Sequence, residues 1–488
     1  MPLNMNQPLS WKKASEARDD DSAAELAMLH DLQGNILKSH GREHTANLFL
    51  AFDPNQAEAA QKFVASIGYE VTSALRQFST TELYKAKKID AGPFVTLLLT
   101  ARGYQALGEQ SAMPEGAAFR EGMAQRPLED PPRDQWDEHF RGEVHALLIA
   151  AADDEPRQEQ LRYRYETMVA STGGAVRVVG VEIGYPQLND DLNHLEHFGY
   201  VDGRSQPLAL VEDIEREKYE YDGIDKWDPS IPLGQLLTSC PGGRLEVSMG
   251  SYFVFRKLEQ DVKGFKTREE ELKVELKNAG GRAGASVVGR FENGTPVTDS
   301  PVEVAVTKPG NAGISNNFDY SDDAKGLKCP FAAHIRKTNP REDLPGSKAN
   351  LMARRAVTYG KREDGLNDDR LDNKPSEGVG LLFMSYQSNL EKQFEVAQRA
   401  WANDPNFVHG DTGIDPIVGN PQSRNPPPAP TPPAPPAPPD IAAQRYPVIY
   451  GQLLSGPIHF SGYVKMLGGE YFFAPSISFL RTMEPMTP

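Results

Sequence analysis

The chain has 488 residues, 39% of them hydrophobic and 25% charged, which is enough for more than one core-forming unit in a globular protein. Lys+Arg 52 against Asp+Glu 68 leaves a net charge of −16, which argues against nucleic acid or an anionic lipid surface as partner, since both select clustered cationic charge. No apolar run approaches the roughly 20 residues of a bilayer span, and the polar first 29 residues lack the apolar stretch of a secretory leader, so the expectation is a cytoplasmic protein. Cys240 and Cys329 lie far apart with no Cys-x-x-Cys spacing, which predicts free thiols rather than a disulfide or a zinc site.

In chain order, residues 1–25 are polar and acidic and predict a partly ordered tail. "TANLFLAF" at 45–52 reads as a strand. In the segment after it, Ala60, Phe63, Val64 and Ile67 hold the i, i+3, i+4, i+7 spacing of an amphipathic helix. "PFVTLLLT" before "ARGYQALGEQ", and "VHALLIAA" before "DDEPRQEQLRYRYETMVAST", repeat that grammar, and "AVRVVGVEIG" adds a further strand. The pattern then restarts: "GSYFVFRKLEQ" precedes the helical "TREEELKVELKNA", and "GVGLLFMSYQS" precedes the helical "NLEKQFEVAQRAWAN". Two α+β units follow from this repeat, one over 26–225 and one over 226–488, each with helices on one face of a sheet. Residues 425–440, "NPPPAPTPPAPPAPPD", predict an extended polyproline surface insertion within the second unit. No glycine-rich phosphate loop is present.

The chemistry-bearing residues are individually ambiguous. In "FGYVDGRSQP", Asp202 is either the Asp-Gly of a turn or a working acid. His194 with His197, and His40 with His44, have ligand-like spacing but no fixed third ligand. His334, in "CPFAAHIRKTNPRED", precedes a cationic run, and an extended backbone would place Arg336 on its side, where it could meet a haem propionate.

Taken in order, "DLQGNILKSHGR", "EHFGYVDGRSQP", "VVGRFENGTPV", "CPFAAHIRKTNPR", "ARRAVTYG", "VGLLFMSYQSNLEKQFE", "WANDPNF", "GIDPIVG" and "GGEYFFAPSISF" resemble the dye-decolourising peroxidases over roughly residues 31–480. The length and the "DLQGNIL" opening resemble the larger, intracellular bacterial branch of that family or its fungal relatives, and the lack of a secretory leader favours the former. It implies two ferredoxin-like units packed as in dimeric α+β barrels, with haem b in the C-terminal unit. By motif, the family's GxxDG matches Gly199–Gly203 with Asp202 as catalytic acid–base, and its proximal haem-iron ligand matches His334. Its distal arginine matches Arg354 more closely than Arg355, the acidic partner of the proximal histidine matches Asp415, and the distal apolar wall matches Leu381 and Phe383. The proline-rich insertion is a departure from the family pattern.

What the resemblance implies is a peroxidase that reduces H2O2 to water through an oxyferryl porphyrin-radical state and oxidises dyes, phenolic or other one-electron donors. A carboxylate on the second ring nitrogen of His334 would make the imidazole more donating. Asp202 would take a proton from bound peroxide and return it to the leaving oxygen, and Arg354 would stabilise the charge that develops there. The alternatives are a non-catalytic or iron-releasing haem protein, which needs His334 but neither Asp202 nor Arg354, and a cofactor-less binding module. A homo-oligomer stays open.

Overall fold

The computed structural model describes residues 3–16, 20–90, 92–277, 282–308, 310–365, 370–420 and 443–483. The proline-rich segment lies outside them. Helices α1 (Trp11–Glu16) and α2 (Asp20–Asp31) open the chain, followed by β1 (His44–Phe52), α3 (Ala57–Glu70), α4 (Ala74–Lys87), β2 (Phe94–Leu99), β3 (Ala146–Ala152), α5 (Glu155–Ala170) and β4 (Val176–Gly184). The second half supplies β5 (Thr238–Ser239), β6 (Met249–Gln260), α6 (Val262–Glu275), α7 (His334–Thr338), β7 (Ala353–Arg354), β8 (Val357–Tyr359), β9 (Gly380–Gln387) and β10 (Val464–Ala474).

These strands form one ten-stranded sheet in the order β4-β1-β3-β2-β10-β6-β9-β7, with β5 on β6 and β8 on β9. The first half contributes an antiparallel sheet of four strands and the second half the rest, and the two meet where Phe473 of β10 pairs Leu99 of β2. Among the described residues the far ends approach through one bridge, Tyr185 to Thr358, and the ladder does not close into a barrel. Alternation explains the packing of β6: Phe255 points into the shared core, where its ring lies 4.9 Å from that of Phe49 on β1, while Arg256, Leu258 and Gln260 point the other way, into a cavity.

The N-terminus corrects the expected tail. Leu9, Trp11 and Ala14 are buried, and the backbone of Leu9 exchanges hydrogen bonds with Ala209 and Val211 at 2.9 and 3.0 Å. Gly234 N–H donates to Met5 O at 2.8 Å, and Ser10 Oγ donates to Glu212 at 2.7 Å. The apolar Leu9, Trp11 and Ala14, spaced among charged residues, give the segment a face to bury. A boundary at residue 25 would also cut through α2.

Candidate active site

The "GYVDG" stretch is a tight turn built around backbone that only glycine adopts easily: Gly199 and Gly203 have φ of 98° and 83°. Asp202 N–H donates to His194 O at 2.9 Å, and its carboxylate oxygen accepts from Gly203 N–H at 2.6 Å. The same oxygen lies 3.5 Å from Arg354 Nη1. Asp202 is thus both a turn residue and one half of an ion pair, with both side chains about one-third exposed to the cavity.

Strand alternation separates the two adjacent arginines. Arg354, paired with Ser385 across β7 and β9, lines the cavity, and its Nη2 donates to Ser205 O at 2.9 Å. Arg355 points into the first half, donating to Asn35 O and Ile36 O at 2.7 and 2.9 Å. Next to them, Leu381 and Phe383 of β9 face the same cavity. Sequence reading missed that their cross-strand partners, Leu258 and Arg256 on β6, and Met466 beyond Leu258 on β10, continue that wall. Alternation within "YFVFRKLEQ" carried that signal.

His334 opens α7 and lines the cavity. Its Nδ1–H donates to Asp415 Oδ2 at 2.9 Å, which leaves Nε2 for a ligand. Asp415 is fully buried, and its other oxygen accepts the Ile417 and Val418 N–H groups at 2.8 and 2.9 Å. Burial works against the charge of both partners, yet their attraction and hydrogen bond win, holding the His334 pKa above and the Asp415 pKa below the ordinary value.

Arg336 departs from expectation. The segment is helical, not extended, so two residues on from His334 is roughly the opposite side of the helix. Arg336 is 1% exposed, paired with Asp323 at 2.9 Å and Asp343 at 2.6 Å, and bonded to Cys329 O at 2.7 Å, and it does not line the cavity. The cations that do line it include Arg290 and Arg341, which lie in the resembling stretches "VVGRFENGTPV" and "CPFAAHIRKTNPR" but were given no role there. Both are buried, and their guanidinium groups donate to neutral oxygens: Arg290 to Gly294 O and Ser315 O at 2.7 Å, Arg341 to Asn316 O at 3.1 Å and Asn316 Oδ1 at 3.0 Å. Burial, and for Arg290 the neighbouring Arg341 and Arg204, draw their pKa values down to about 9 and about 10. Such groups favour an anionic ligand.

In each of the other two histidine pairs, one ring is engaged elsewhere. His197 Nε2 and Nδ1 contact Tyr359 O at 2.8 Å and Gln187 at 3.0 Å, and burial lowers its pKa to about 4. His40 stacks on Phe94 at 4.5 Å and accepts the Arg42 N–H at 2.9 Å.

The cavity holding Asp202, Arg354, His334, Leu381 and Phe383 has a volume of about 450 Å³ and also takes in Asp130 and Gln135 from the first half. The expected boundary at 225/226 therefore runs through the site, because Asp202 and Arg204 precede it. One imidazole backed by a carboxylate, an apolar wall and buried cations suit a large planar, anionic macrocycle such as haem.

Comparison with known proteins agrees. The model for Dyp-type peroxidase, C-terminal, matches residues 237–408. The multifunctional dye peroxidase DyP2 of Amycolatopsis sp. is 39% identical over 506 residues, covering 99% of this chain and 100% of that protein. The dye-decolorizing peroxidase msp1 of Mycetinis scorodonius is 28% identical, covering 96% and 90%. The chain belongs to the dye-decolourising peroxidase family. Its fold matches the solved structure of Amycolatopsis DyP2 with a TM-score of 0.87 at 37% identity, covering 98% and 100% of the two chains. It matches the DyP-type peroxidase AnaPX of Anabaena sp. with 0.85 at 36% identity, covering 98% of each.

Proposed function

We propose that this peroxidase reduces H2O2 at a non-covalently bound haem b, whose iron His334 would hold, with Asp202 and Arg354 acting on the peroxide. The supporting observation is that a carboxylate-backed imidazole and a carboxylate–guanidinium pair converge on one cavity. Haem would supply the redox-active iron and take up the two oxidising equivalents of peroxide. His334 would present Nε2 to it, while Asp415 fixes the tautomer by accepting from Nδ1. Leu381, Phe383, Leu258 and Met466 would keep water from the reacting face, and Arg290 and Arg341 would hold the carboxylates of the macrocycle.

Asp202 would accept the proton of peroxide at its free carboxylate oxygen and return it to the departing one. Arg354 would steady Asp202 and the developing negative charge without losing its own proton. The sequence has no Cys-x-x-Cys-His for covalent attachment, which supports haem b, and its two buried free thiols suit a reducing cytoplasm. Among the described residues no helix is long and apolar enough to cross a membrane. The iron-releasing alternative is not favoured, because it gives the Asp202–Arg354 pair no task.

Stopped-flow mixing with H2O2 tests the reading. Asp202→Asn should slow the first spectral change by about 10²–10⁴-fold with the haem band intact. Arg354→Leu should cost about 10²–10³-fold, and His334→Ala should lose haem. Full speed in Asp202→Asn, or a normal haem band in His334→Ala, overturns the assignment.

A further inference from the structure

Between the turn that carries Asp202 and the strand that carries Arg354 sits a side chain with no task in the scheme above. Strand β7 ends the sheet order and, among the described residues, pairs on one side, with β9. Amide directions alternate along a strand, and the N–H of Arg355 donates to Met384 O of β9 at 2.7 Å, so the N–H of Arg354 faces the open edge. An edge amide beside a cavity needs its acceptor from elsewhere. Gln206 supplies it: its Oε1 accepts the Arg354 N–H at 3.0 Å, its Nε2 donates to Gly203 O at a longer 3.4 Å, and the side chain lines the cavity.

One residue earlier, Ser205 O accepts from Arg354 Nη2 at 2.9 Å. The backbone of Arg354 and the tip of its side chain are therefore both moored to residues 205 and 206, just after Asp202. These moorings leave Asp202 and the guanidinium 3.5 Å apart, whereas such a pair settles at about 2.7–2.9 Å when free to close. Asp202 meanwhile shares the same oxygen with Gly203 N–H at 2.6 Å. Among the described residues, no short bond consumes the donor capacity of Arg354 Nη1.

We propose that Gln206 is a positioning residue for the peroxide step: by tying the Arg354 backbone to the Asp202 turn it holds the ion pair open, so that Arg354 can donate to an anion bound on the open side of the haem. The inference rests on the reading of Asp202 and Arg354 as the residues that act on peroxide. Without the tie, the edge of β7 and the turn move independently, and the guanidinium closes onto Asp202 or swings away with the strand. In both cases it no longer donates to the anion, and a displacement of about 1 Å costs on the order of 10²-fold in rate.

The test reads fluoride binding to the ferric, haem-loaded protein, because a bound fluoride accepts from a neighbouring cationic donor and needs no turnover. Gln206→Met keeps the length of the side chain and removes its amide. It should weaken fluoride binding by about tenfold, the worth of one hydrogen bond from a charged group, and slow the first spectral change with H2O2 by about 10–10²-fold, with the haem band intact. In an Arg354→Leu background the same substitution should have no further effect on fluoride, since Gln206 acts through Arg354. Equal weakening in both backgrounds would give Gln206 a general structural role, and fluoride binding as tight as in wild type would leave it no role in the pair; either result overturns the proposal. Should Gln206→Met not fold, Gln206→Asn, whose amide is one methylene too short to span both partners, carries the same expectations. An Arg354→Leu protein that binds fluoride as tightly as wild type would instead sink the reading of Arg354 itself, whatever Gln206 does.

Discussion

Glu196, six residues before Asp202, shows how a single carboxyl can be committed to a turn and still face the cavity. Its oxygens accept the Phe198 and Tyr200 N–H groups at 2.9 and 2.8 Å and the Gln260 side-chain amide. Burial nevertheless outweighs these bonds and lifts its pKa from 4.5 to about 7. A carboxyl that binds its proton more tightly when folded gives a contribution that is complete below about 4.5 and lost as pH rises through 7. Glu196→Gln mimics the protonated form, so its stability relative to wild type should grow by up to about 3 kcal/mol between pH 5 and pH 8, measured by urea unfolding at the two pH values. An unchanged difference would mean that the carboxylate is stabilised as an anion. At this scale the sequence was informative where chemistry and chain order coincide. Asp202, Arg354, His334 and Asp415 meet around one cavity, and the strand pattern points Arg354 rather than Arg355 into it. Glu196, Arg290 and Arg341 were not legible, because their roles depend on burial, and burial depends on segments distant in sequence.

Helix α7 turns one local conformational choice into a change of role. Along an extended chain Arg336 would share a side with His334, whereas about 100° per helical residue carries it round to Asp323 and Asp343. Asp323 also gathers the N–H groups of Leu327, Lys328 and Cys329 at 2.7 to 2.9 Å, so this ion pair organises the turn that leads into His334. Removing one member of a buried pair leaves the other uncompensated, and Arg336→Ala should cost about 3–5 kcal/mol. The loss should appear in denaturant unfolding of the haem-free protein. Intact stability with loss of haem alone would return Arg336 to a propionate. Five-residue helices such as this one carry too few positions for a periodic signal, whereas β1, β2, β3, β6 and β9 are long apolar or alternating runs and were legible. The helix expected after β9 is in part a π-helix, Val396–Ala402, and Ala402 at its end supplies the carbonyl that receives Asp415 N–H.

Across the whole molecule, the N-terminal residues fasten a segment that reaches the cavity. Residues 5–12 bond to 209–212 and 233–234, and the stretch between those points contains Trp227 and Pro229 of the cavity wall. Deleting residues 1–16 exposes the partners of Leu9 and Trp11, each worth about 1.5–3 kcal/mol when fully buried. The expected result is a lower Tm together with faster loss of haem to an excess of a haem-scavenging protein. A lower Tm with unchanged haem transfer would show that the fastening does not extend to the cavity. The repeat in the sequence anticipated two similar units, but not this strap or the sharing of one cavity between the halves, since both are long-range pairings with no local signature.

The sheet order also has a consequence for how the protein is made. Strand β10, nearly the last element to be synthesised, occupies the middle of the sheet between β2 and β6, and brings Val464 and Met466 to the cavity wall. A ribosome releases the chain from its N-terminus, so the first four strands can pair while synthesis continues. The second half cannot acquire its central member until translation is almost over. Cofactor capture is thereby deferred to the finished polypeptide, and a truncated product that stops short of residue 464 leaves the ribosome without a completed seat for haem.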